Sequence, residues 1–326
     1  MNRGRVDRRA AILGLGVAAV GMVSLAAAVT SSTFTGPDEI YAALQRQRGE
    51  RLGLGRATIN VVFADGAPGL DRTWVRAWVA RAAMAVIAYF GHFPVTEYGL
   101  LVVATPGDRV GHATTYGYAG SVTVIHVGVD ADPAAFRRDW VLVHEMIHTA
   151  LPNLPRRALW LQEGNATYVE PIARAQVAQL AAEEVWRESV AGMPQGNPGP
   201  GDAGMDGTKS HARLYWGGAT FWLLAEIAIY ESTRAKHSLR DALRAMNRQS
   251  GGNTAEWSPE QLMMAGDSAI GTVALLDLYH RFATTRVETD LLELFARLGV
   301  RSGADESVTL NNAAPLAALR RRITVA

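Results

Sequence analysis

The 326-residue chain contains no cysteine. Disulfides, iron–sulfur clusters and cysteine nucleophiles are therefore excluded, and any metal must be held by His, Asp or Glu. The absence says little about compartment, because a chain without thiols is safe in oxidising and reducing surroundings alike. An excess of one charge is also missing: 32 Lys and Arg stand against 31 Asp and Glu, a net charge of +1. No block of like charge reads as an interaction tail, and a balance this even argues against a nucleic-acid binder, which normally shows a basic face. Charged residues make up 19% and apolar residues 48% of the chain, the balance of a soluble protein with a substantial core. No internal repeat is visible, and the length fits one large domain or two small ones.

One apolar run is long. "MNRGRVDRRA" carries Arg3, Arg5, Arg8 and Arg9 against Asp7, and Ala11 to Val29 then passes without a charge. A basic start followed by an apolar stretch is the pattern of an export signal, with Ala26 to Ala28 as a small-residue cleavage site. As a helix the run would span roughly 28 Å, close to the hydrocarbon thickness of a bilayer, so an uncleaved anchor remains an equal alternative. The flanks of Arg8-Arg9 match a twin-arginine signal only weakly. Residues 1–30 are expected to be a signal peptide or membrane anchor. The remainder is expected to be extracytoplasmic, either secreted or held at the cell membrane.

Residues 31–55 read as a linker and a short polar helix ending in glycines. Over 56–190 the pattern is mixed. "ATINVVFAD" reads as a strand, and the next stretch as a helix capped by Asp71, with Val75, Trp78, Val79, Ala82 and Val86 at helical spacing. "EYGLLVVAT" and "SVTVIHVGV" are two β-rich runs separated by the Gly/Tyr-rich "GHATTYGYAG". Asp132 and Pro133 then start a helix expected to continue to Pro152, and a second begins near Leu159 and runs with one break to about Val190. Residues 191–210 are so rich in Gly and Pro that they read as a loop that does not pack. Residues 211–326 read as helical throughout. The outline is a β-containing lobe, a central helix pair and an all-helical C-terminal lobe.

The chemistry lies in the central pair. His144 and His148 are four apart on the first helix, so both project from one face and can reach one ion at roughly 2.0–2.1 Å. Glu145 is displaced by about 100° and is placed to hydrogen-bond a metal-bound water as general base without ligating. This is the HExxH arrangement. A catalytic site needs a third protein ligand and a fourth position left open. Glu163 is the candidate, since residues 149–162 give the chain room to turn and re-enter a second helix; Gly164 would permit close approach to the first. The alternative three-histidine spacing is excluded by Leu151 and Leu154.

"HEMIH" followed by "WLQEGNATYVEP" resembles the gluzincin zinc metallopeptidases, in the peptidase MA-like group related to the aminopeptidase N and glycyl aminopeptidase families. The resemblance is specific over about Asp132 to Ala173. It implies an α+β, thermolysin-like fold with a small mixed β-sheet lobe whose edge strand binds substrate, a central HExxH helix and a helical lobe beyond. It also implies zinc on His144, His148 and Glu163, with Glu145 as base, hydrolysing a peptide or protein substrate. A tyrosine from the following helix stabilises the oxyanion in those families. "RLYWGGATFWLL" is similar to that segment, with Tyr215 as candidate and Tyr168 as rival. The Gly-x-Met-Glu-Asn stretch that grips a substrate amine in aminopeptidase N relatives is absent, and "YGYAGSVTV" stands where it is expected. That leaves endopeptidase and aminopeptidase action both open.

Other readings are plainer. A non-catalytic extracytoplasmic binding or scaffold protein on a peptidase-like fold would keep the ligands but has no need of Glu145. His211, just ahead of Tyr215, could reach the site, and Glu170 could orient a ligand or simply face solvent. Arg156 and Arg157 are expected to face solvent. His92, His112, His126, His237 and His280 have no partner at ligand spacing.

Overall fold

Residues 36–128 alternate between helix and strand. Helix α1 (Pro37–Arg46) leads into β1 (Glu50–Leu54) and β2 (Ala57–Phe63); α2 (Arg72–Phe90) is followed by β3 (Glu97–Thr105), β4 (Val110–Tyr116) and β5 (Ser121–Gly128). The computed structural model describes Phe34, residues 36–303 and residues 305–325. The expected signal or anchor, with its apolar run at 11–29, lies outside the described residues, among which no helix is long and apolar enough to cross a membrane. The strands form one sheet in the order β1-β2-β3-β5-β4. β2, β3 and β5 pair in parallel at its centre, and β1 and β4 close the two edges antiparallel.

Burial on both faces explains why the central strands are nearly continuous apolar runs. Ile59, Val61, Leu100, Val102, Ile125 and Val127 pack in one cluster with α2. Val62, Leu101, Val103, Val122 and Val124 meet Ile40, Tyr41 and Ala43 of α1 on the other face. The α1 contact extends to the turn after β4: Tyr41 donates to the carbonyl of Gly120 at 2.7 Å, and Tyr118 donates to Asp38 at 2.6 Å. Asp71 caps α2 by accepting from the amides of Thr73 and Trp74, and Val75, Trp78, Val79, Ala82 and Val86 are all buried as their spacing predicts.

Both edge strands escape the sequence reading. β1 is the tail of the stretch read as one polar helix, and β4 lies within the stretch read as a separator. Neither has a fully buried residue, so neither carries the apolar signature of a buried strand. The "YGYAG" stretch is the end of β4 and its turn, and "SVTV" opens β5.

The helix expected from Asp132 to Pro152 is two helices, α3 (Pro133–Arg138) and α4 (Val141–His148). Asp139 makes the break. Its buried carboxylate accepts from the amides of Val141 and Leu142 at 3.0 and 3.2 Å and from the Trp78 indole at 2.9 Å. It thereby starts a new helix, anchored to α2, at the turn before His144. The second long helix also divides, into α5 (Leu159–Gln176) and α6 (Ala182–Gly192).

The segment at 191–210 packs, contrary to expectation. The amides of Met205 and Asp206 bond the carbonyls of Phe282 and Ala283, the Gly207 amide bonds Arg157, and Arg213 donates to the Gly196 carbonyl at 2.6 Å. A Cβ on Gly196 would overlap the backbone of Trp216 and Gly217, and one on Gly204 the backbone of Ala283. These glycines serve close approach of backbones. Arg157 is exposed, as expected, and its guanidinium also pairs with Asp206, Tyr279 and Glu260.

The C-terminal lobe opens with a π turn (Arg213–Gly217) that runs into α7 (Gly218–Ser232), followed by α8 (Leu239–Ser250), α9 (Pro259–Ile270), α10 (Ala274–Thr284) and α11 (Leu291–Leu298). A two-stranded hairpin, β6 (Val300–Ser302) and β7 (Val308–Leu310), is its one departure from helix among the described residues, and α12 (Ala317–Thr324) ends it. A clasp joins this lobe to the first. The Asn153 amide bonds the Ala255 carbonyl at 2.8 Å and the Trp257 amide the Asn153 carbonyl at 3.0 Å. The Asn253 amide reaches Thr149, and its side chain donates to Tyr116 at the end of β4.

Candidate metal centre

α4 presents His144 and His148 one turn apart, with ring centroids separated by 4.9 Å. α5 brings Glu163 to them: its Oε2 lies 3.4 Å from His144 Nε2 and 3.5 Å from His148 Nε2. Among the described residues these three form the one group of His and carboxylate donors able to share an ion, with all three ligand atoms within 4.8 Å of one another. Two donors at bonds of ~2.0–2.2 Å in a tetrahedron stand about 3.3–3.5 Å apart, which is the spacing Glu163 keeps from each imidazole. Glu163 Oε2 is buried and has no hydrogen-bond partner. An orphaned carboxylate oxygen costs several kcal/mol unless a cation or proton answers it, so the donor set fits a divalent metal.

The electrostatics point the same way. Burial opposes the charge on Glu163, but the neighbouring imidazoles outweigh it and hold the carboxyl well below its usual range. Burial likewise opposes charge on His148, and Glu163 more than offsets it, pushing His148 up to about 9. The site is a concentrated negative potential that binds protons when no other cation competes.

Gly164 serves a different approach from the one expected. A Cβ there would overlap the backbone of Gly218, and one on Gly218 would overlap Trp160 and Gly164, so the close packing is between α5 and α7. That contact delivers the π turn to the site. Tyr215 stacks on His144 with centroids 5.9 Å apart and planes 14° from parallel. Burial, then the Glu163 charge, raises the Tyr215 phenol above its ordinary value and keeps it protonated at neutral pH. Tyr168 lies elsewhere, lining a small cavity with Ile172 and Trp186. His211 is exposed, its ring 6.4 Å from that of Tyr215.

Glu145 is buried at 8% exposure and lies outside the three-donor cluster. Thr115 of β4 donates to its Oε2 at 2.7 Å, a partner the sequence reading missed along with the strand itself. Glu170 does not face solvent: it accepts from Arg174 at 2.7 Å, and both are buried. The rings of His112 and His126, on adjacent strands, stack with centroids 4.0 Å apart.

No family model matches the chain, and no curated protein matches it by sequence. Solved structures do match it in fold. An aminopeptidase N family protein from Idiomarina loihiensis superposes with a TM-score of 0.54 at 13% identity, over 77% of this chain and 49% of that one. A two-domain M1 zinc metallopeptidase mutant with bound L-arginine gives 0.51 at 18% identity, over 74% and 52%. The M1 zinc metallopeptidase from Deinococcus radiodurans gives 0.50 at 19%, over 75% and 52%. The chain spans about half the length of these proteins and shares the fold of their matched part.

Proposed function

We propose that the chain is a zinc-dependent metallopeptidase in which His144, His148 and Glu163 hold the metal, Glu145 is the general base and Tyr215 the oxyanion donor. The observation that carries this reading is Glu163 Oε2, buried, without a hydrogen bond and 3.4 and 3.5 Å from two imidazole nitrogens, with a second glutamate beside but outside the set. Zinc suits two imidazoles and a carboxylate with one position open, and when bound it supplies Lewis acidity to a peptide carbonyl and makes a water acidic near pH 7.

Glu145 takes the proton from the attacking water and delivers it to the leaving nitrogen. With Oε2 held by Thr115, its other oxygen is the one left for transfer. Tyr215 donates to the oxygen that becomes negative as the carbonyl turns tetrahedral, a role that its protonated phenol suits. Among the described residues no strand pairs with the outer edge of β4, so an extended peptide can lie along it as an added strand next to α4.

Purified protein should carry about one zinc per chain and cleave members of a peptide library in a chelator-sensitive way. Glu145→Gln should keep the metal and lower kcat/KM by about 10²–10⁴-fold. Undiminished turnover in that variant, or no zinc in the wild type, refutes the assignment. We further read residues 11–29 as carrying the catalytic part out of the cytoplasm. Protease added to intact cells should degrade the full chain, and its protection there would count against export.

A further inference from the structure

The group that fixes Glu145 comes from the sheet. Thr115 Oγ1 of β4 lies 2.7 Å from Glu145 Oε2 and 3.1 Å from the Glu145 carbonyl. It also lies 2.6 Å from Thr123 Oγ1 on β5, the residue directly opposite in the strand register. Thr123 in turn accepts from the Tyr98 hydroxyl of β3 at 2.6 Å. Three hydroxyls on three adjacent strands thus form a row that ends on the base. Thr123 and Tyr98 are fully enclosed, at 0% and 1% exposure.

Each hydroxyl has one proton to give, which sets the direction of the row. Burial keeps the Tyr98 phenol protonated, and it gives its hydrogen to Thr123. The Thr123 proton then goes to Thr115, and the Thr115 proton to the carboxylate, the strongest acceptor within its reach. Reversing any link would leave the carboxylate oxygen without its donor, at the cost of a buried unsatisfied group.

We propose that Thr115 is a positioning residue: the hydroxyl row Tyr98–Thr123–Thr115 locks the Glu145 carboxylate in one orientation by its Oε2 and leaves the other oxygen for proton transfer. Its kinetic consequence rests on the peptidase reading; its structural content does not. Glu145 sits on α4 between two ligands, and the helix alone fixes only where its side chain starts. The sheet fixes where it ends, so β4 both borders the site and aims the base.

The test uses the full zinc-loaded chain with Thr115→Val, which keeps the shape and deletes the donor, and Thr115→Ser, which keeps the donor. Thr115→Val should lower kcat by about 10–100-fold with KM within about twofold, because a misplaced base costs turnover while leaving binding alone. Zinc content should match the wild type, Tm should fall in Thr115→Val because Thr123 and Glu145 Oε2 each lose a buried partner, and Thr115→Ser should restore most of kcat. Crystal structures of wild type and Thr115→Val should show the Glu145 carboxylate turned or split between orientations in the variant. Unchanged kcat together with an unmoved carboxylate in Thr115→Val overturns the proposal. Should that variant not fold, Tyr98→Phe carries the same two readouts, with a smaller loss of kcat and a loosened Glu145 expected. Should the wild type cleave no peptide, the peptidase reading falls, and the carboxylate orientation still decides the positioning claim.

Discussion

Glu226 takes no part in the cluster, yet it sets a pH response of the fold. It is 4% exposed on α7, and burial pushes its carboxyl up to about 7, against the pull of the Leu239 amide that bonds it at 3.1 Å. A carboxyl raised in the folded state contributes its stability below the unfolded value, near 4.5, and that contribution is lost as pH rises through about 7. The shift corresponds to about 3 kcal/mol as an upper figure. Glu226→Gln should therefore leave stability little changed at pH 4.5 and raise it at pH 8. Urea denaturation at both pH values measures the difference, and equal effects at the two would remove Glu226 as the cause. At this scale the meeting of His144, His148 and Glu163, with Glu145 beside them, was legible, because a fixed offset on one helix face determines where side chains go. Thr115 was not, since its tie to Glu145 spans 30 residues and depends on a strand pairing that no local pattern announces. Glu170 misled for a related reason: its partner Arg174 is buried with it, and a sequence shows the spacing of a charged pair but not its depth.

Among the elements, the contact between α5 and α7 controls the site most directly. Gly164 and Gly218 leave no room for a methyl group, and the obstructing atoms are backbone. Gly164→Ala should destabilise the fold by about 1–3 kcal/mol or more, since helix axes must separate to admit it. The same variant should weaken metal binding, because Glu163 is the adjacent residue. Chemical denaturation and competition with a zinc chelator measure the two effects, and a variant as stable and as tight as the wild type would show that the helices have slack. Gly164 was correctly marked as a point of close approach but assigned the wrong neighbour, since sequence alone does not say which helix arrives. The loop glycines show the same limit. Gly196 and Gly204 carry no side chain to announce a contact, yet backbone presses on both. The division of α3 from α4 was hidden because Asp139 looks like any polar helix residue until Trp78 and two amides converge on it.

For the whole molecule, the change from a sheet lobe to a helical remainder was readable because strands and helices have different hydrophobic periods. The connections between them were not. A single buried cluster runs from the sheet through α2, α4 and α5 into the helical lobe, and the Asn153–Ala255–Trp257 clasp adds backbone bonds across it. The amides of Asn153 and Trp257 should therefore exchange with solvent as slowly as those of the central strands, although both lie in loops. Hydrogen-exchange mass spectrometry over these peptides checks this, and fast exchange there with slow exchange in β3 would mean that the lobes part independently. The hold of α1 on the turn after β4 has a mechanical consequence. The chain ahead of residue 36 joins a helix whose Tyr41 and Asp38 grip Gly120 and Tyr118. Tension applied from that end would travel through two phenolic hydroxyls to the β4–β5 hairpin, whose Thr115 holds Glu145.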